Sequence, residues 1–237
     1  MSIRQFYWLM PFRAGFRVPE PVAPLRRPPL LPPLLPPILL VHGYGCNRGL
    51  WLPAAKWFSR HGYRVSAIDL SPMHGSIDSY TEPIARAIAE LRADTGADQV
   101  AVIGHSMGGL AARAYLRRCA DQRLDPRVTA LVTLGTPHRG THLAKLGRGM
   151  NARQMHFGSD WIEELARHEA ATVGLAAEPA LLRRITTIGS LQDNIVTRPL
   201  EQRLPGVRAI MVRRQGHMSL VSSPRVLRLL DRLLARG

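Results

Sequence analysis

The sequence predicts an α/β protein: a mostly parallel sheet of about six strands, with helices on both faces and a small cap. Two observations carry this. Short, unbroken apolar runs recur along the chain, as expected for strands buried on both faces. Stretches with apolar residues at helical spacing separate them, so successive strands are joined by helical crossovers.

Ile38-Leu39-Leu40-Val41, bounded by Pro37 and Gly43, reads as the first strand. A helix is expected over 50–61, where Trp51, Ala54, Ala55 and Phe58 sit near helical spacing. Residues 64–70 (RVSAIDL) read as the second strand. An alanine-rich helix includes 84–92, with Ile84, Ala87, Ile88 and Leu91 on one face. VAVI at 100–103 is the third strand, 107–118 a helix and 128–134 (VTALVTL) the fourth strand. The rhythm breaks over 136–180. Strands resume at 184–189 and 206–212, and a helix over 223–235 closes the chain.

The chain divides into an N-terminal extension and one folded domain. Residues 1–37 form an N-terminal extension. Its portion from 18 onwards is so rich in proline that neither a helix nor a central strand fits. A polyproline-like tether lying on the domain surface is the expected form. Residues 38–237 form the folded domain, and 141–180 is its cap candidate. Met150, Met155, Phe157, Trp161, Ile162 and Leu165 in that stretch would suit an acyl chain. They would equally suit helices packed on the core.

Composition bounds the function. The chain has 237 residues, 46% of them hydrophobic and 21% charged, an ordinary globular balance. Its net charge of +15 is not ordinary. Lys56 and Lys145 are the only lysines, and arginines are scattered throughout. There is no zinc motif, reader helix or aromatic-basic interleaving, which argues against a nucleic-acid partner. Peripheral contact with an anionic membrane is a better use of the charge. Cys46 and Cys119 are too few for a disulfide framework and lack metal spacing, so two free thiols are expected. The N-terminal apolar patch ends at Pro11 and makes a poor signal peptide, which favours a cytoplasmic, membrane-peripheral location. The sequence leaves the oligomeric state open.

Gly104-His105-Ser106-Met107-Gly108 fits G-x-S-x-G between a strand and a helix, where a sharp turn lifts a serine hydroxyl out of the sheet. Side chains in place of Gly104 and Gly108 would collide with the neighbouring strand and helix. A serine needs a base, and the base needs an orienting acid. Asp193 follows the fifth strand and His217 the sixth, in the chain order this architecture uses. The expected roles are nucleophile for Ser106, general base for His217 and imidazole orienter for Asp193. In V-H-G-Y-G, Gly43 and Gly45 would fold the backbone so that the Tyr44 N–H faces a developing oxyanion. The Met107 N–H at a helix start would be the second donor. His42 and His105 would brace these turns.

These residues resemble the α/β-hydrolase superfamily and, within it, the bacterial triacylglycerol lipases and esterases. The likeness rests on V-H-G-Y-G, G-H-S-M-G-G, T-L-G-T-P-H-R-G-T at 133–141, D-N-I-V and the late G-H, and spans about 38–235. It implies the same triad of Ser106, Asp193 and His217, the same oxyanion donors, and an acyl or lipid ester substrate. The extension leaves little room for the antiparallel strands that often open this fold, hence the reduced sheet. Some bacterial lipases hold a structural calcium; its ligand set cannot be placed here, so no metal or cofactor is carried over. The expected activity is carboxylic-ester hydrolysis through an acyl-enzyme. A thioesterase, acyltransferase or amidase would use the same triad. From another class, a non-catalytic basic module binding a membrane or a partner would keep the fold alone.

Overall fold

The computed structural model describes residues 35–172 and 184–235. Most of the N-terminal extension and residues 173–180 of the cap candidate lie outside the described residues.

Strands β1 (Ile38–Val41), β2 (Val65–Ile68), β3 (Val100–His105), β4 (Val128–Leu134), β5 (Ile185–Ser190) and β6 (Arg208–Val212) form one sheet. Their order is β2-β1-β3-β4-β5-β6, and every adjacent pair is parallel. The central strands β1 and β3 are buried at every position, which explains the apolar runs at 38–41 and 100–103. Edge strand β6 begins with two exposed residues, Arg208 and Ala209.

Helices α1 (Leu52–Arg60), α2 (Thr81–Thr95) and α3 (Met107–Asp121) follow β1, β2 and β3. Further on come α4 (Met150–Gln154), α5 (Asp160–Thr172) and α6 (Pro224–Leu234). The sheet separates two cores. On one face Ile84, Ile88 and Leu91 of α2 join Leu110, Ala111 and Ala114 of α3 over Leu39, Val41 and Val102. On the other face Ala54, Ala55 and Phe58 of α1 join Val226, Leu227 and Leu230 of α6 over Ile38, Leu40 and Ile103. Alternate residues of β1 thus point into opposite cores, as a pleat requires.

Sequence and structure differ mainly at element ends. A 3₁₀ turn, Arg48–Trp51, precedes α1 because Pro53 starts the helix well but cannot donate within it. The Asn47 side chain caps this turn through Gly49 N. Another 3₁₀ turn, Ile77–Tyr80, capped by Ser76, leads into α2, and Gly96 in the left-handed region ends α2. Cys46 and Cys119 are free thiols. No described helix is long and apolar enough to cross a membrane.

Candidate active site

The site is built where β1, β3, β4, β5 and β6 end. Ser106 joins β3 to α3 with φ 53° and ψ −123°, a backbone conformation costly for a residue with a Cβ. It persists because neighbours hold it. Ser106 N donates to Leu134 O at 2.9 Å, and Ser106 O accepts from Gly109 N at 3.0 Å and Thr136 Oγ1 at 2.9 Å. The glycines around it are sterically required. A Cβ on Gly108 would lie 2.3 Å from Val41 O, and one on Gly104 would lie 2.6 Å from Gly109 Cα. Gly109, which the sequence pattern does not single out, is as tight: its Cβ would meet Thr136 Oγ1 at 2.1 Å.

Asp193 and His217 come together from loops after β5 and β6. His217 Nδ1 lies 2.8 Å from Asp193 Oδ2, and both residues are buried. A carboxylate only accepts, so Nδ1 carries the proton and Nε2 is left as the basic nitrogen. Asp193 Oδ1 is satisfied by Ile195 N and Val196 N, each at 2.8 Å. Asn194 Oδ1 accepts from His217 N at 3.1 Å and ties the two loops together. Gln202 staples the acid loop: its Oε1 accepts from Ser190 N, and its Nε2 donates to Ser190 O and Val196 O. Sequence reading gave Asn194 no role beyond its place in D-N-I-V and missed Gln202, because a polar side chain that fastens a loop has no pattern of its own.

Ser106 touches the loop after β1, and its neighbour His105 touches the loop after β6. A Cβ on Gly43 would stand 2.9 Å from Ser106 Cβ, so the loop after β1 touches the serine. His105 donates through Nε2 to His217 O at 3.1 Å, with the two rings 4.6 Å apart. Among the described residues the His217 ring hydrogen-bonds Asp193 alone, so the link from Ser106 Oγ to Nε2 stays open here. Such links often tighten only when a substrate is in place.

His42 clamps the loop after β1. Its Nδ1 donates to Gly43 O at 2.8 Å, and its Nε2 accepts from Leu70 N at 2.9 Å. That pairing suits a neutral ring, and burial lowers the His42 pKa. Burial and the nearby His217 push His105 well below its ordinary range. Gly45 takes φ +65°, a turn that glycine makes without strain. Among the described residues, neither Tyr44 N nor Met107 N donates to another group. Met107 opens α3, so its N–H sits at the positive end of a helix dipole. No three His, Cys, Asp or Glu side chains among the described residues group as a metal site.

The other histidines spread out. His138 is buried between Thr133 Oγ1 (2.9 Å) and Arg113 Nη1 (3.2 Å) and shapes the turn after β4. His74 stands beside the Tyr44 ring, 5.9 Å between centroids. Of the cap residues, Met155, Ile162 and Leu165 are buried in the molecule, whereas Met150 and Phe157 are exposed. Trp161 is half-buried and donates to Asp78 Oδ2 at 2.8 Å.

A strained serine at a strand-to-helix turn, with a buried His–Asp pair on the loops that follow β5 and β6 of the same parallel sheet, marks the α/β-hydrolase type of fold. The chain belongs to the α/β hydrolase fold family, whose model matches residues 36–173. It is 33% identical over 114 residues to a triacylglycerol lipase of Pseudarthrobacter phenanthrenivorans, covering 45% of this chain and 34% of that protein. A triacylglycerol lipase of Burkholderia plantarii is also 33% identical over 114 residues, covering 45% of this chain and 30% of that protein. The matched part thus spans about a third of these relatives' length. In fold, the chain is similar to the mature Bacillus licheniformis lipase BlEst2, with a TM-score of 0.73 at 19% identity over 90% of this chain and 96% of that one.

Proposed function

We propose that this chain is a serine hydrolase that cleaves carboxylic esters of acyl or lipid type through an acyl-enzyme. The observation that carries the reading is the 2.8 Å bond from His217 Nδ1 to Asp193, which leaves Nε2 as the basic nitrogen at the same strand ends as a serine held in a strained turn. Ser106 Oγ attacks the ester carbonyl carbon as its proton passes to His217 Nε2. The carbonyl π electrons move to oxygen, and the Tyr44 and Met107 N–H groups hold that oxyanion. The oxyanion collapses, the C–O bond to the alcohol breaks, and His217 returns the proton to the leaving oxygen. Water then repeats the sequence and releases the acid. Asp193 keeps the imidazole in its tautomer and stabilises the imidazolium. No step needs a cofactor. A thioester or amide could meet the same groups, and an alcohol in place of water would make the protein an acyltransferase.

The test is turnover of a p-nitrophenyl ester series, short to long acyl, by the wild type and Ser106→Ala. The wild type should be active and the variant slower by several orders of magnitude. A variant that keeps its turnover sinks the mechanism.

A specific surface feature favours membrane contact as well. No acidic residue occurs from Pro137 to Ser159. Arg139, Lys145, Arg148 and Arg153 are exposed there, and among the described residues none forms an ion pair. Leu143, Leu146, Met150 and Phe157 are exposed between them. Cations interleaved with exposed apolar groups suit a peripheral protein on the cytoplasmic leaflet, where anionic lipid collects. The protein should co-sediment with anionic vesicles at low salt, and less so with neutral vesicles or at high salt. Equal binding to both vesicle types would remove the electrostatic part of this reading.

A further inference from the structure

The Tyr44 side chain makes contacts that its backbone role does not require. Its hydroxyl donates to Arg148 O at 3.0 Å and accepts from Arg148 N at 2.8 Å. One phenol thus occupies both backbone groups of a residue 104 positions away, much as a neighbouring strand would.

The Arg148 end of this clasp is itself fixed. Gly149 takes φ +90° and is packed so closely on His74 that an added Cβ would lie 2.5 Å from His74 Cβ and His74 O. Met150 N donates to His74 O, Asn151 N to Gly75 O, and Asn151 Nδ2 to Met73 O. Tyr80 holds the same loop through Pro72 O at 2.7 Å. The Tyr44 end is partly buried, packed on the core and beside the His74 ring. The next residue, Gly45, has nothing within 4 Å of the place a Cβ would take. On the other side, His42 holds Gly43 but reaches no further along the loop. Between that clamp and the open glycine, Cys46 Sγ donates to Tyr44 O at 3.5 Å, and the phenol supplies the two bonds that tie Tyr44 to Arg148.

We infer that the Tyr44 hydroxyl is a positioning residue: clasped to the Arg148 backbone, it holds its own backbone N–H where the oxyanion develops. The inference rests on the esterase reading above. The cap candidate thereby sets the geometry of the oxyanion loop through the Arg148 backbone.

Tyr44→Phe keeps the ring and the N–H and removes only the clasp. We expect kcat to fall about 10- to 100-fold, within the range set by losing an oxyanion donor or misplacing one by an ångström. KM and the melting temperature should change little. Affinity for an alkylboronic acid should fall by a similar factor. That inhibitor reports the oxyanion site, because Ser106 Oγ bonds boron, its proton passes to His217, and a boron-bound oxygen takes the oxyanion's place. A merely structural tyrosine would lower the melting temperature and leave kcat and boronate affinity near wild type. Gly149→Ala, which displaces the Arg148 end, should lower kcat in the wild-type background and add little in the Tyr44→Phe background. Additive losses, or an unchanged kcat and boronate affinity in Tyr44→Phe, overturn the clasp. Ser106→Ala separates the two levels. If it is dead while Tyr44→Phe is unaffected, only the clasp fails; if it stays active, the esterase reading itself fails.

Discussion

Gly135 shows how a residue without a functional group can set the geometry of this site. It sits in T-L-G-T-P, one residue past β4, with φ +57°. An added Cβ would lie 3.1 Å from both Asp193 Oδ2 and His217 Nδ1, and 2.9 Å from Leu220 Cδ1. The first two atoms are the ones that share the proton. Gly135→Ala should therefore do two separable things. The left-handed backbone costs stability, on the order of 1–2 kcal/mol. The methyl also crowds the His–Asp bond, so ester turnover should fall at least about 10-fold. Chemical denaturation and steady-state kinetics on one preparation read both effects. Turnover at the wild-type level would show that the pair tolerates the displacement. This glycine was visible in the sequence only as part of a family-like motif. Its crowding arises from residues 58 and 82 positions downstream, and no local pattern encodes that.

At the scale of elements, legibility follows burial. The strands were readable because a parallel sheet covered on both faces favours continuous apolar runs: 38–41 and 100–103 are unbroken, and 128–134 is interrupted only by Thr129 and Thr133. The order of Ser106, Asp193 and His217 was readable because each follows a strand, and strand ends in such a sheet share one edge. Helix α3 was harder. It is buried on nearly every side, and Arg113 in its middle is 1% exposed. Amphipathic spacing has no place for a buried guanidinium. The structure gives it one: Nε and Nη2 grip both oxygens of Glu169 on α5 at 2.8 and 2.6 Å, and Nη1 donates to His138 O and meets His138 Nδ1. A bidentate pair of this kind, its guanidinium buried, fixes direction as well as distance. It moors α5 to α3, the helix that starts just after Ser106. The same mooring explains why Ile162 and Leu165, candidates for an acyl-facing surface, are buried in the molecule. Trp161 and Arg117 reinforce it by meeting Asp78 from α5 and α3. None of this was legible beforehand, since Arg113 and Glu169 lie 56 residues apart and each reads as a surface charge on its own.

For the whole molecule, the telling quantity is how its buried imidazoles bind protons. His42, His105 and His138 are each at most 3% exposed, and burial lowers the pKa of all three, aided at His138 by Arg113 and at His105 by His217. In the unfolded chain each would titrate near the ordinary value of 6.5. Below that pH the unfolded state binds protons that the fold refuses, so stability is full above about pH 6.5 and falls as the medium is acidified. Each histidine can contribute a slope of up to about 1.4 kcal/mol per pH unit, so three together act steeply. Glu201 works the other way. Burial raises its pKa from 4.5, so its contribution is present at low pH and is lost as the pH rises through the folded value. One carboxyl opposes three imidazoles, and the imidazoles set the sign between about pH 4.5 and 6.5. The denaturation midpoint should hold from about pH 7.5 to 6.5 and drop clearly by about pH 5.5. His138→Gln, whose amide can still meet Thr133 and Arg113, should lower stability at neutral pH yet flatten the acid slope. A wild-type midpoint that is level across this range would mean that these rings accept protons in place, and that the turns they hold are looser than their hydrogen bonds imply.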